Sequence, residues 1–189
     1  MKPLIVMALK EEGQGMIEEL GFEVVYCGVG KVNAAHRFTR KLVEASLQEH
    51  PFPYVLNLGS AGSHSFSKGS LVAADRFVQR DMDVTGLGFA WGETPFEPDS
   101  PVIAFPRRFT HLSHGTCGSG DSFLQGIPPV PSDIIDMEAY ALAKICLRES
   151  VPFACVKYIT DGADGNATED WQTNLARAAQ MFVTFLSDL

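Results

Sequence analysis

No apolar run in this 189-residue sequence approaches the roughly 18 residues that a membrane-spanning helix needs. The start also lacks a small-residue cleavage site: after Met1-Lys2-Pro3, six apolar residues run straight into Lys10-Glu11-Glu12, and the chain is expected to be cytoplasmic. Lysine and arginine never cluster. With a net charge of −8 and a pI near 5.0, that argues against nucleic acid or an anionic membrane surface as the main partner. The four cysteines, Cys27, Cys117, Cys146 and Cys155, are scattered without a C-x-x-C, beside apolar residues or within strand and helix patterns. That suits buried reduced thiols better than disulfides or a zinc site. His111 and His114 stand three apart but have no third ligand at a suitable spacing, so an ordinary loop is expected there. Nucleotide fingerprints are missing too. Gly28-Val29-Gly30-Lys31 would need a third glycine where Asn33 stands, or a Ser/Thr after the lysine and an earlier glycine.

What is present describes one soluble domain over residues 1–189, with 46% apolar residues, 20% charge and enough core to fold without staples. The pattern alternates strands and helices. Residues 4–9 form a continuously apolar strand of the kind covered on both faces, followed by a helical stretch from Met16 to Leu20 and a second strand over 23–27. A helix over 32–49 turns Ala35, Phe38, Leu42 and Ala45 to one side. The next strand begins at Tyr54, and Leu58-Gly59-Ser60-Ala61-Gly62 reads as a small-residue loop that lets backbone approach a ligand. A strand pattern covers 71–74, and a polar-alternating segment over 81–85 leads into Gly86-Leu87-Gly88-Phe89. Residues 91–108, with four prolines, read as a long ordered loop or lid. Three glycines and an aspartate in residues 115–121 turn the chain just before Phe123, a ring that alone fits a core position as well as a binding platform. A short connection over 124–133 precedes the run Ile134-Ile135 and a helix over 137–149. A strand over 153–160 and a last helix from about Thr168 follow, the latter striped with Trp171, Leu175, Ala178, Phe182, Phe185 and Leu189.

Four strand-like runs end in polar or acidic residues: Glu11 and Glu12, Ser60, Glu138, and Asp161. In open α/β sheets ligands bind beyond the carboxyl ends of the strands, so these groups can converge on one site. Glu138 is expected in the first turn of its helix, where the dipole favours an anion whether or not it serves a ligand.

Taken in order, Ala8-Leu9-Lys10-Glu11-Glu12, Gly28-Val29-Gly30-Lys31-Val32-Asn33-Ala34-Ala35, Asn57-Leu58-Gly59-Ser60-Ala61-Gly62, Asp83-Val84-Thr85, Gly118-Ser119-Gly120-Asp121-Ser122-Phe123, Asp136-Met137-Glu138-Ala139 and Ile159-Thr160-Asp161 resemble the purine nucleoside phosphorylase superfamily. The closest resemblance is to its hydrolase branch, the methylthioadenosine/S-adenosylhomocysteine nucleosidases. The resemblance implies a three-layer αβα fold with a central mixed sheet, no metal or organic cofactor, a nucleoside substrate and a homodimer whose pocket is completed by the neighbouring subunit. Cleaving a purine–ribose bond needs protonation of the base, stabilisation of an oxocarbenium-like sugar and delivery of water. The resemblance gives these roles to Asp161, as the acid at adenine N7, and to Glu12, as the base that positions water, in preference to Glu11. Asp161 must then hold a proton near neutral pH, through burial or nearby carboxylates. Glu138 would accept from the ribose hydroxyls, Met137 would pack on the sugar, Phe123 would stack on the base, the backbone of Leu124 would read its edge and Ser60 would line the water side. Phe89 is the aromatic that would be lent across the interface.

Two features depart from the pattern. Lys157 stands where the nucleosidases usually have arginine, which keeps the charge and loses the planar fork. The resemblance also implies that residues 90–114, short and proline-rich, lack a helix that helps form the 5′ pocket in relatives. The alternatives are a futalosine-type hydrolase, a phosphorylase, which Glu12 disfavours by repelling phosphate, and a nucleoside-binding domain without catalysis.

Overall fold

The computed structural model describes residues 1–124, 126–163 and 167–189, with side chains of the last stretch described from 174 onward. Strand β1 (Leu4–Met7) is followed by two single-turn helices, α1 (Lys10–Gly13) and α2 (Met16–Glu19), and by β2 (Val24–Tyr26). Helix α3 (Lys31–Leu47) leads to β3 (Val55–Gly62) and β4 (Leu71–Gln79). A 3-10 turn at Thr85–Leu87 and a short β5 (Val102–Ala104) precede β6 (Ser113–Ser119), β7 (Ile134–Asp136), α4 (Ala139–Arg148), β8 (Phe153–Asp161) and α5 (Ala167–Ser187).

The sheet is mixed and runs β2-β1-β3-β7-β6-β4-β5, with β8 pairing both β3 and β4. β8 lies parallel to β3 along its whole length and antiparallel to β4. β7 joins β6 in parallel and touches β3 at the single pair Gly62↔Ile135. Strands β3, β8, β4, β6 and β7 therefore close on themselves, and β1 and β2 extend the sheet from β3. Alternation along the strands sorts the core into two faces, as a two-residue period must. Leu4 and Val6 of β1, with Phe153, Cys155 and Ile159 of β8, face Phe38 of α3 and Leu142 and Cys146 of α4. Ile5 and Met7, with Ala154, Val156 and Tyr158, face Ile17 of α2 and Ala178, Phe182 and Phe185 of α5. The result is the expected three-layer αβα arrangement.

Several boundaries differ from the sequence reading for physical reasons. The small-residue run 58–62 is the second half of β3 rather than a loop, and its glycines are there for close approach. A Cβ on Gly59 would lie 3.4 Å from both Glu12 Oε1 and Lys157 Nζ, and one on Gly62 would lie 2.6 Å from Asp161 Oδ1. Gly115 and Gly118 are likewise strand residues, in β6, crowded by Phe66 and Asp133 and by Ser132, so the turn before Phe123 begins only at Gly120. β4 runs on to Gln79, and residues 81–85 lie outside any strand. Residues 91–108 are tied down: β5 pairs with β4, and Glu97 and Asp99 form a four-charge cluster with Lys144 and Arg148 of α4. In α5 the stripe holds at Ala178, Phe182 and Phe185, Leu175 is half-buried, Leu189 is exposed beyond the helix, and the side chain of Trp171 lies outside the described residues. All four cysteines are free and buried, and burial pushes each thiol up, as expected of inert core residues. No helix among the described residues is long and apolar enough to cross a membrane.

Candidate active site

A cavity of about 390 Å³ opens beyond the carboxyl ends of β1, β3, β7 and β8. Its wall includes Glu12, Ser60, Phe123, Leu124, Met137, Glu138 and Asp161, so seven of the nine residues singled out in the sequence converge on one space. Glu12 rather than Glu11 faces it. Two residues, Ala8 and Leu9, separate β1 from helix α1, whose single turn buries Glu12 to 3% exposure while Glu11 stays in solvent. Three donors hold the Glu12 carboxylate: Ser60 N–H (2.8 Å) and Ser60 Oγ (2.6 Å) donate to Oε1, and Leu9 N–H (3.1 Å) donates to Oε2. Three convergent donors suit an acceptor-only carboxylate.

Asp161 is the last residue of β8 and is 4% exposed. Its Oδ1 accepts from Ala163 N–H (2.9 Å) and its Oδ2 from the Thr160 hydroxyl (2.8 Å). Glu12 meets β3 at Ser60 and Asp161 meets it at Gly62, two residues further along the same face. The strand rise puts those two contact points about 7 Å apart.

Glu138 sits at the N-cap of α4 (φ −132°, ψ −34°) rather than inside its first turn. The cap bond is supplied instead by Asp136, whose Oδ2 accepts from Ala139 N–H at 2.9 Å, and Glu138 is left to turn toward the cavity. Gly30 N–H donates to Glu138 Oε1 at 2.8 Å, which gives the Gly28–Lys31 glycine pair its purpose: Gly30 has φ +91°, a conformation that favours glycine. Burial, with the Asp136 charge beside it, pushes the Glu138 carboxyl up to about 7.

Lys157 is not in the cavity wall. It is fully buried beneath it and pairs with Asp136 Oδ2 at 2.8 Å. Burial alone would lift the Asp136 carboxyl, but the Lys157 ammonium and the Ser119 hydroxyl outweigh it and hold Asp136 below the usual carboxylate range. Lys157 is correspondingly held charged, since Asp136 outweighs its own burial. Phe89 also lies away from this chain's cavity, half-buried and edge-on to Phe96 with centroids 5.4 Å apart. Sequence reading missed Arg80 and Asp136. Arg80 directly follows Gln79, the last residue of β4, so it stands at a strand end, where the other strands also carry polar groups, and that was the available signal. Among the described residues no group of three or more His, Cys, Asp and Glu could hold a metal ion.

The raised Glu138 carboxyl has a measurable consequence. Between the ordinary value of 4.5 and about 7 the folded protein keeps a proton that the unfolded chain has released, so this group lowers stability as pH rises through that window. Glu138→Gln, whose amide oxygen can still accept from Gly30, is expected to remove that slope in denaturant titrations and to leave the variant relatively more stable above about 7. Parallel pH profiles for the two proteins would contradict it.

The sequence profile of the phosphorylase superfamily matches residues 14–189. A 5′-methylthioadenosine/S-adenosylhomocysteine nucleosidase from Marinomonas sp. (strain MWYL1) is 30% identical over 189 aligned positions, covering 88% of this chain and 79% of that protein. Among solved structures, a mutant of the Helicobacter pylori nucleosidase with 5′-methylthioadenosine in its active site superposes with a TM-score of 0.84 at 21% identity, covering 99% of this chain and 96% of that one. The futalosine hydrolase of the same organism superposes with a TM-score of 0.83, also at 21% identity, covering 98% and 95%. At that identity the two structures speak for the fold. With the superfamily profile and the curated relative, the chain belongs to the phosphorylase superfamily as a methylthioadenosine/S-adenosylhomocysteine nucleosidase-like member.

Proposed function

We propose that residues 1–189, as one domain, hydrolyse the N-glycosidic bond of an adenine nucleoside of the methylthioadenosine/S-adenosylhomocysteine type, releasing adenine and the ribosyl product. The observation that carries this reading is the pair of buried carboxylates, Glu12 and Asp161, anchored about two strand residues apart on β3 within one cavity. In this reading Asp161 gives a proton to N7 as the bond to ribose breaks, and Glu12 orients and deprotonates the attacking water beside Ser60. Glu138 accepts from the ribose hydroxyls, Met137 packs on the sugar, Phe123 stacks on the base from a ring that is 49% exposed, and the Leu124 backbone meets the base edge. Lys157 acts from below, through Asp136 and the charge it places beside Glu12 and Glu138.

Phosphorolysis would bring a phosphate against Glu12, and like charges at that range repel. The half-buried Phe89 and its partner Phe96, 93% exposed, support a homodimer in which this aromatic corner meets a second copy. Four free, buried cysteines fit a reducing, cytoplasmic setting.

The test is incubation in phosphate-free buffer with methylthioadenosine, S-adenosylhomocysteine, aminofutalosine and inosine, following free base by chromatography. Adenine release from either of the first two supports the reading. Release from aminofutalosine alone moves the substrate to the futalosine type, and release only after phosphate is added would make the protein a phosphorylase.

A further inference from the structure

Arg80 lies one residue beyond β4, is 3% exposed and lines the cavity, yet among the described residues no carboxylate forms an ion pair with it. Its guanidinium is used on neutral groups instead. Nη1 donates to Ser122 Oγ at 3.1 Å, and Nη2 donates to the carbonyls of Gly120 (3.2 Å) and Ser122. The fork lies so close against the turn that a Cβ on Gly120 would come within 2.8 Å of Arg80 Cζ. Arg80 is itself held firmly: its N–H donates to Ser119 O at 2.9 Å, and Trp91 Nε1 donates to its carbonyl at 2.9 Å. From the other side of the turn, Asp121 N–H donates to Asp81 Oδ2 at 2.8 Å and Lys31 N–H donates to Asp121 Oδ1 at 2.7 Å. Phe123, which follows, is half exposed, so packing alone does not fix its ring.

We propose that Arg80 is a positioning residue for base recognition, its planar fork fixing the 120–123 turn so that the Phe123 ring and the Leu124 backbone are preset for a purine. This rests on the nucleoside reading above and assigns the base platform a support that is specific to an arginine. A lysine ammonium has three donors, but they radiate from one atom and do not reproduce the planar fork in which Nη1 meets the hydroxyl and Nη2 the two carbonyls. Arg80 acts through the turn, without touching the reacting atoms, so its loss should weaken binding of the base far more than it slows chemistry.

The experiment compares wild type with Arg80→Met, Arg80→Lys and Ser122→Ala. It measures KM, kcat, adenine affinity by calorimetry, and amide exchange of residues 120–124 without ligand. Arg80→Met removes hydrogen bonds made by a charged group, so KM and the adenine Kd are expected to rise about tenfold or more, with kcat within about threefold. Arg80→Lys should fall between, and Ser122→Ala should move the same way by less. Amide exchange should speed up in 120–124 while β4 and β8 stay protected. An Arg80→Met protein with wild-type KM and adenine affinity overturns the proposal. So does a fall in kcat at constant KM, or faster exchange across the whole sheet. If the methionine variant does not fold, Arg80→Lys and Ser122→Ala carry the same comparison, and unchanged KM and exchange in both overturn the proposal. If wild type releases no base from any nucleoside, the functional reading fails, and the exchange comparison still decides whether Arg80 holds the turn.

Discussion

Asp161→Asn is expected to slow adenine release by about 10³-fold or more, within the range that general acids supply, while leaving the fold and nucleoside binding nearly intact. The hydrogen bonds explain why this variant isolates chemistry from structure. The asparagine oxygen can keep the bond from Ala163 N–H that Oδ1 accepts now. Its amide can donate to the Thr160 hydroxyl, which then turns its own proton to the Ala61 carbonyl, 3.3 Å away. No buried group is left unpaired, so the unfolding midpoint should hardly move. What is lost is the capacity to give a proton to the leaving base. Single-turnover rates and calorimetric binding of methylthioadenosine check both halves. A variant that turns over within tenfold of wild type would remove Asp161 from the acid role.

Glu12→Gln is expected to damage turnover too, by about 10²–10⁴-fold, and also to cost stability. Here isosterism does not help. Oε1 accepts two donors from Ser60 and Oε2 accepts one from Leu9, so a glutamine amide must point an N–H at an N–H whichever way it is turned. Leaving one buried donor unsatisfied costs about 1–3 kcal/mol. Glu12→Gln should therefore unfold earlier than wild type where Asp161→Asn does not. Glu11→Gln, in solvent on the same turn, should match wild type in both measurements. Equal behaviour of the Glu11 and Glu12 variants would mean that the attacking water is held elsewhere.

The sequence carried the order of layers because apolar runs of strand length alternate with helical stripes, and the polar residue closing each run marked the rim where the cavity lies. It separated Glu12 from Glu11 only through family resemblance, while the structure does so by burial. Three things were not legible locally. β8 inserts between β3 and β4 and closes a ring, which no residue of β8 announces, since a strand buried on both faces reads the same in an open sheet. β6 was hidden by its glycines, which read as turn residues and in fact make room for Phe66, Ser132 and Asp133. The Asp136–Lys157 pair joins residues 21 positions apart in sequence, so only the fold reveals that the lysine standing in for arginine serves a buried aspartate under the site floor. That pair is costly to break singly, because either partner alone is a stranded buried charge.

The central claim is that water, not phosphate, attacks the ribosyl carbon. The most direct measurement is turnover of methylthioadenosine in heavy-oxygen water with phosphate present, followed by mass spectrometry of the sugar. The account predicts a free sugar carrying one heavy oxygen at its anomeric carbon, with no sugar phosphate. A sugar 1-phosphate with no solvent oxygen would contradict it, and with it the role given to Glu12.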